Sequence, residues 1–311
     1  MWDDEVDVAC IGAGIGGLAN AIATVDAGGE VLIVDAAPTR TSDPAPGALR
    51  ERVHAKTGWL IQDTLDAETD EYFADLTVGV AEQTNAQYDG SVPLRVARNL
   101  SSDEAYGRVV EPFVGSRLTV WASQCLASPY GLLYTSFRDR RTTSMRSSDG
   151  DSIEVFPIGA MDWRDGDGER ALRQWMTEQA RQRDIDVQTA SSLHRLVFED
   201  GVIVGVVLST PEGPYAVRTR AGVTVSPREQ ETVLDASSDD TSGDRLQVCF
   251  VGRTASRFSR VELLATEPTA PPRPTCTGSR GQYREGMHDH RLPSLDGWRC
   301  GKVHGYPPLG Q

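Results

Sequence analysis

The chain has 311 residues, 39% of them in the AVILMFWYC set, which is enough apolar material to bury a core and excludes a wholly disordered polypeptide. Its 45 acidic and 31 basic residues give a net charge of −14, which argues against general binding to nucleic acid or to an anionic membrane surface. The five cysteines (Cys10, Cys125, Cys249, Cys276 and Cys300) are odd in number and irregular in spacing, so the sequence predicts a reducing, cytoplasmic setting rather than a disulfide framework.

The first elements read as strand, tight turn, helix, strand. Residues 6–11 form a β-branched apolar run of the kind found in buried parallel strands. From residue 15 to 26 the apolar positions Leu18, Ile22 and Val25 recur at helical spacing, and Gly28-Gly29 stops the helix. Residues 31–34 form a second apolar strand that ends on Asp35. The apolar stretch from Val8 to Val25 approaches membrane-spanning length, but the acids before it and the glycines within it argue against a signal peptide or a membrane span.

Beyond this unit, residues 38–58 read as a loop, and a helix is predicted over 67–76, opened by Asp66 or Thr64. Residues 100–165 are mixed, with apolar runs at 118–121 and 153–158. Ala171, Leu172, Trp175, Met176 and Ala180 define one helical face ending near Arg183. An antiparallel meander follows: a strand from Val187, strands over 193–198 and 202–208 joined at Asp200-Gly201, then 215–220, closed by 223–225. Residues 226–244 are linker-like, with short apolar runs at 246–251 and 258–264 beyond them. The last 45 residues hold 7 Pro and 7 Gly and read as an irregular tail.

The chemistry-bearing motif is Gly12-Ala13-Gly14-Ile15-Gly16-Gly17, a GxGxxG that follows a strand and opens a helix. In that setting Gly12 permits the sharp turn, Gly14 lets backbone approach a pyrophosphate, and Gly17 lets helix and strand pack closely. The first N–H groups of the helix and its dipole favour phosphates. Asp35, followed by Ala36, stands where a carboxylate accepts hydrogen bonds from an adenosine ribose. The other reading of the same residues is a glycine-rich turn used only for packing.

These segments resemble the FAD-dependent fumarate reductase/succinate dehydrogenase flavoprotein family, which includes 3-ketosteroid dehydrogenases. The resembling pieces are residues 6–36, 66–76 and 167–225. The resemblance implies an α/β fold: a Rossmann-like FAD/NAD(P)-binding βαβ domain with an antiparallel meander and an inserted, cap-like α+β region. It would divide the chain into a FAD-binding domain (1–60 and 150–227), a cap or substrate-side insertion (61–149), and a linker and largely irregular tail (228–311). It further implies FAD held by residues 12–17, Asp35 and Ala36, hydride transfer through the flavin, a small-molecule substrate and an electron-transfer partner. The chain departs from the family pattern at residues 38–50, which lack a Gly-Gly-x-Ser/Thr loop. It departs again at Val225-Ser226-Pro227, where the family has Ala-Thr-Gly-Gly.

Two readings from other classes stand beside this one: a nucleotide-binding homologue without turnover, and an NAD-binding reductase. Cys276, His288, His290, Cys300 and His304 are scattered in a Pro/Gly-rich stretch, and no metal site is predicted there. Arg138, Arg140, Arg141 and Arg146 read as a solvated basic loop, and Tyr130 and Tyr134, four apart, as core aromatics at helical spacing. His54 and His194 belong to no recognisable acid–base pair.

Overall fold

The computed structural model describes residues 1–36, 66–78, 80, 91–101, 104, 114–135, 142–164, 168–227 and 244–266. Among them, in chain order, lie β1 (Asp4–Ile11), α1 (Ile15–Asp26), β2 (Val31–Asp35), α2 (Ala67–Leu76), β3 (Leu94–Asn99), α3 (Val114–Leu126) and β4 (Gly131–Tyr134). β5 (Thr143–Ser147), β6 (Ser152–Trp163), α4 (Glu169–Arg181), β7 (Val187–Thr189) and β8 (Ser192–Glu199) follow. β9 (Val202–Thr210), β10 (Gly213–Val225), β11 (Asp244–Gly252) and β12 (Phe258–Thr266) complete the described elements. The fold is mixed α/β and rich in sheet.

Four strands run in parallel at one end of the sheet. β1 pairs with β2, Ile11 beside Val34, and with β10 on its other edge, Ile11 beside Val225. β7 adds to the outer edge of β2, Thr189 beside Asp35. Residues on both faces of β1 and β2 are buried: Ile11 and Val34 belong to one apolar cluster, Cys10 and Ile33 to the other. Burial on both faces accounts for their continuous apolar runs. α1 covers one face with Ile15, Leu18, Ala19 and Ile22, which join Leu172, Met176 and Ala180 of α4. Phe73 of α2 and Trp121 of α3 pack on the other.

The other pairings close a ring of five strands. β11 pairs with β6, β6 with β5, β5 with β3, β3 with β12, and β12 with β11. β12 joins the ring to the parallel strands, because its first residues also pair with β4, and β4 pairs with the end of β10. Pro157 sits in β6 where the register with β11 shifts by a residue, a place that tolerates a strand residue lacking an N–H.

Several expectations are corrected. Residues 244–266, which the domain division put in the linker and largely irregular tail (228–311) although the apolar runs at 246–251 and 258–264 could be ordered, form two nine-residue strands whose Val248, Val251, Val261 and Leu263 are fully buried. Their apolar positions are only partners for distant strands, a relation that local composition does not carry. Residues 223–225 do not close the meander as a separate strand. They continue β10, which leaves β9 and runs on beside β1. The strand at Val187 does not open the meander either but pairs in parallel with β2. Tyr130 and Tyr134 are buried, but Tyr130 lies in a turn and Tyr134 ends β4, so their spacing is not helical. The helix predicted over 67–76 is present with the same bounds. His54, Arg138, Arg140, Arg141, residues 38–58 and residues 267–311, with their cysteines and histidines, lie outside the described residues.

Candidate functional site

β1, β2 and β10 end side by side, so the segments that follow them share one edge of the sheet. These are Gly12–Gly17, Asp35-Ala36 and Ser226-Pro227. Gly12 N–H donates to Val34 O at 2.8 Å, fixing the turn beside the end of β2. Ser226 N–H donates to Ile11 O at 2.9 Å, and the Ser226 hydroxyl donates to Gly12 O at 2.9 Å. Gly14 N–H donates to Pro227 O at 3.0 Å. In the sequence Pro227 stands out only as a departure from the family's Ala-Thr-Gly-Gly. The structure uses its carbonyl as an acceptor that clasps the glycine loop.

The glycines have separate physical reasons. Gly12 has φ +95, and a Cβ there would meet Ser226 O at 2.2 Å. A Cβ on Gly17 would meet Gly12 O at 2.0 Å, and one on Gly16 would meet Gly131 O at 2.4 Å. Packing therefore accounts for glycine at 12, 16 and 17. Gly14 differs, because its φ of −62 and ψ of 177 suit any residue. Its backbone dihedrals therefore give no reason for glycine.

Gly14 is also the N-cap of α1, and it supplies no side-chain hydrogen bond to the helix. Leu18 N–H is the first to find its helical acceptor, Gly14 O at 3.0 Å. The N–H groups of Ile15, Gly16 and Gly17 have none within the helix, as at any helix start. All three residues are buried, so this is a sheltered, uncapped positive helix end. Ala13 is buried in the turn, while Asp35 and Ala36 are half-buried at the end of β2. The backbone carbonyl of Asp35 accepts from Ser191 N–H at 3.3 Å, which ties the strand end to the start of β8. Gly12–Gly17 and Asp35 are thus brought to one edge, with Ser226 as a contributor that sequence reasoning missed. A Ser following a strand is too common a signal to have found it.

Other candidates fall elsewhere. Arg146 lies on β5 and faces Glu104 at 3.6 Å. His194 is half-buried on β8, and its carbonyl accepts from Asp66 N–H. Among the described residues no group of His, Cys, Asp and Glu is arranged to hold a metal ion. No helix among them is long and apolar enough to cross a membrane.

No protein-family profile matches the chain, and no curated protein matches it. Among solved structures it is similar to the open conformation of a flavocytochrome c3 fumarate reductase, at 17% identity and a TM-score of 0.29, over 70% of this chain and 33% of that one. It is similar also to a 3-ketosteroid-Δ4-(5α)-dehydrogenase from Rhodococcus jostii RHA1 in complex with 4-androstene-3,17-dione. There the identity is 21% and the TM-score 0.28, over 72% of this chain and 46% of that one. A third is an L-amino acid deaminase from Proteus vulgaris, at 18% identity and a TM-score of 0.26, over 71% and 46%. The chain spans a third to just under half the length of these proteins. Scores this low leave the functional argument to the residues themselves.

Proposed function

We propose that the chain binds the ADP moiety of FAD at the shared edge of β1, β2 and β10 and acts as a FAD-dependent oxidoreductase on a small-molecule substrate. The observation that carries this reading is the buried, uncapped start of α1 behind a glycine, Gly14, whose own backbone does not require one. The N–H groups of Ile15, Gly16 and Gly17 would hold the pyrophosphate, aided by the helix dipole. The Asp35 carboxylate would accept from the ribose hydroxyls, and its negative charge disfavours a 2′-phosphate. Ser226 and Pro227 would hold the loop open by fixing Gly12 and Gly14 from the side. The donor set fits the ADP half: backbone donors for phosphate and a carboxylate for ribose, on a Rossmann-like βαβ unit. FAD, when bound, supplies two-electron transfer, and the family resemblance favours a reduction or dehydrogenation next to a carbonyl.

A nucleotide-binding protein without turnover is the second reading. It is favoured by the fact that every group assigned above addresses ADP and none addresses the flavin ring. Calorimetric titration of the apoprotein with ADP, FAD and NAD separates the two. Under the first reading FAD binds much more tightly than ADP and carries visible flavin absorbance through purification. Under the second, ADP and FAD bind within about tenfold, roughly 1.4 kcal/mol. Under either, Gly14→Val removes nucleotide binding with the fold retained. Asp35→Asn weakens binding by about 1.5–3 kcal/mol, the range for charged hydrogen bonds. Equal nucleotide affinity in Gly14→Val and the parent chain would end both.

A further inference from the structure

A cavity of about 730 Å3 opens along the C-terminal half of α1, and none of Gly12–Gly17 lines it. Its volume lies within the roughly 300–1,000 Å3 of small-molecule sites. Three aromatic side chains from three strands, Tyr134, Phe156 and Phe250, form part of its wall. Tyr134 and Phe250 meet edge to face, with ring centroids 6.3 Å apart. Ring edges and faces so presented suit a flat, apolar body.

The polar part is Asn20, in mid-helix and only 7% exposed. Its Nδ2 donates to Cys10 Sγ and to Thr224 Oγ1, each at 3.3 Å. Its Oδ1 accepts no hydrogen bond from a described residue, and Asn20 lines the cavity. An amide oxygen so placed can accept from an incoming N–H or O–H. Its described lining residues also include two carboxylates, Asp7 and Asp26, and no Lys, Arg or His. Arg183 pairs with Asp26 at 2.7 Å, and Arg220 with Asp7, Glu30 and Glu5 together. Among the described residues, four carboxylates against two guanidiniums leave the rim negative, which opposes an anionic ligand.

We infer that this cavity is a second binding site, for a flat uncharged or cationic ring compound that donates an N–H or O–H to Asn20. The inference is independent of the nucleotide reading, since the two sites share no described residue. Titration of the full-length chain with indole, 1-methylindole, tryptamine and indole-3-acetate tests it. Indole and tryptamine are expected to bind saturably at one site. The 1-methyl compound, which has no donor, should bind about three- to tenfold more weakly. Indole-3-acetate should bind at least about tenfold more weakly because of the rim charge. Ala23→Phe, which places a ring in the cavity from α1, should abolish indole binding and leave ADP titration unchanged. Ala221→Phe does the same from β10 and carries the test if the first variant does not fold, as judged by far-UV circular dichroism. Absence of saturable indole binding would overturn the proposal. So would unchanged affinity in a folded filled variant, or indole-3-acetate binding as tightly as indole.

Discussion

At the scale of single residues, the glycine loop separates two demands that one motif combines. Gly17 is confined by a carbonyl 2.0 Å from where its Cβ would stand, and that carbonyl is backbone in its own turn. Gly17→Ala is therefore expected to cost about 1–3 kcal/mol through overpacking, seen as a fall of several degrees in Tm by calorimetry. An unchanged Tm would mean that the turn packs differently. The cysteines make a second residue-scale case. Cys10, Cys125 and Cys249 are buried. Burial pushes the Cys125 thiol well above its ordinary range and the Cys249 thiol up to about 12, the latter with help from the nearby Glu262 carboxylate. Thiolate, the reactive form, is then scarce at these sites. Iodoacetamide at about pH 8, near the ordinary thiol pKa, should leave these three unlabelled until denaturant is added, as peptide mass mapping would read.

Individual elements follow local chemistry where that chemistry is strong. α2 begins at Asp66 because the Asp66 carboxylate accepts from Thr69 N–H at 3.0 Å, and Glu68 and Asp70 favour the positive helix end. Asp66→Ala should cost about 1 kcal/mol, the usual worth of such a cap, measured by urea denaturation. A variant as stable as the parent chain would show that α2 is held by packing alone. The hairpin between β8 and β9 turns on Asp200 and Gly201, both with positive φ, 51 and 75, as an Asp-Gly pair favours. β7 shows where local chemistry stops. Ala190, with φ 60, bends the chain after Thr189, so β7 stays with β2 and only β8 joins the meander. Nothing about an alanine announces such a bend.

Across the whole molecule, the least legible feature is the charge inside the five-stranded ring. Glu262 on β12 is fully buried and accepts from Arg95 of β3 at 2.6 and 3.1 Å, and from Arg260 at 2.6 Å. Arg95 also reaches Ser147 of β5. Arg260 and Arg253 lie over the Trp121 ring of α3, 5.1 and 5.5 Å from its centroid. Three ring strands and a helix therefore meet at one carboxylate. Removing it alone leaves two half-buried guanidiniums, Arg95 with only the exposed Asp149 carboxylate at 3.5 Å as counter-charge. Glu262→Ala should cost about 3–5 kcal/mol, read as a lowered denaturation midpoint. Glu262→Gln, which keeps an acceptor, should recover part of the loss. A loss under about 1 kcal/mol in Glu262→Ala would place the pair in the class of solvated surface bridges.

The sequence by itself determined the elements whose signals are local. β1, α1 and β2 follow from an apolar run, a helical period and a glycine stop. α2 follows from its cap, and the β8–β9 hairpin from Asp-Gly. It also determined the placement of Gly12–Gly17 and Asp35, because a tight βα turn and a strand end fix their neighbours within a few residues. Tertiary structure alone decided that β10 runs on beside β1, that Ser226 and Pro227 clasp the loop, and that residues 244–266 belong to the core. It alone placed Glu262 between Arg95 and Arg260 and gave Asn20 a cavity. Each of these rests on contacts between residues far apart in the chain, such as the 214 residues between Gly12 and Ser226. Local propensity carries no term for such contacts, since their free energy appears only once the intervening chain has been ordered.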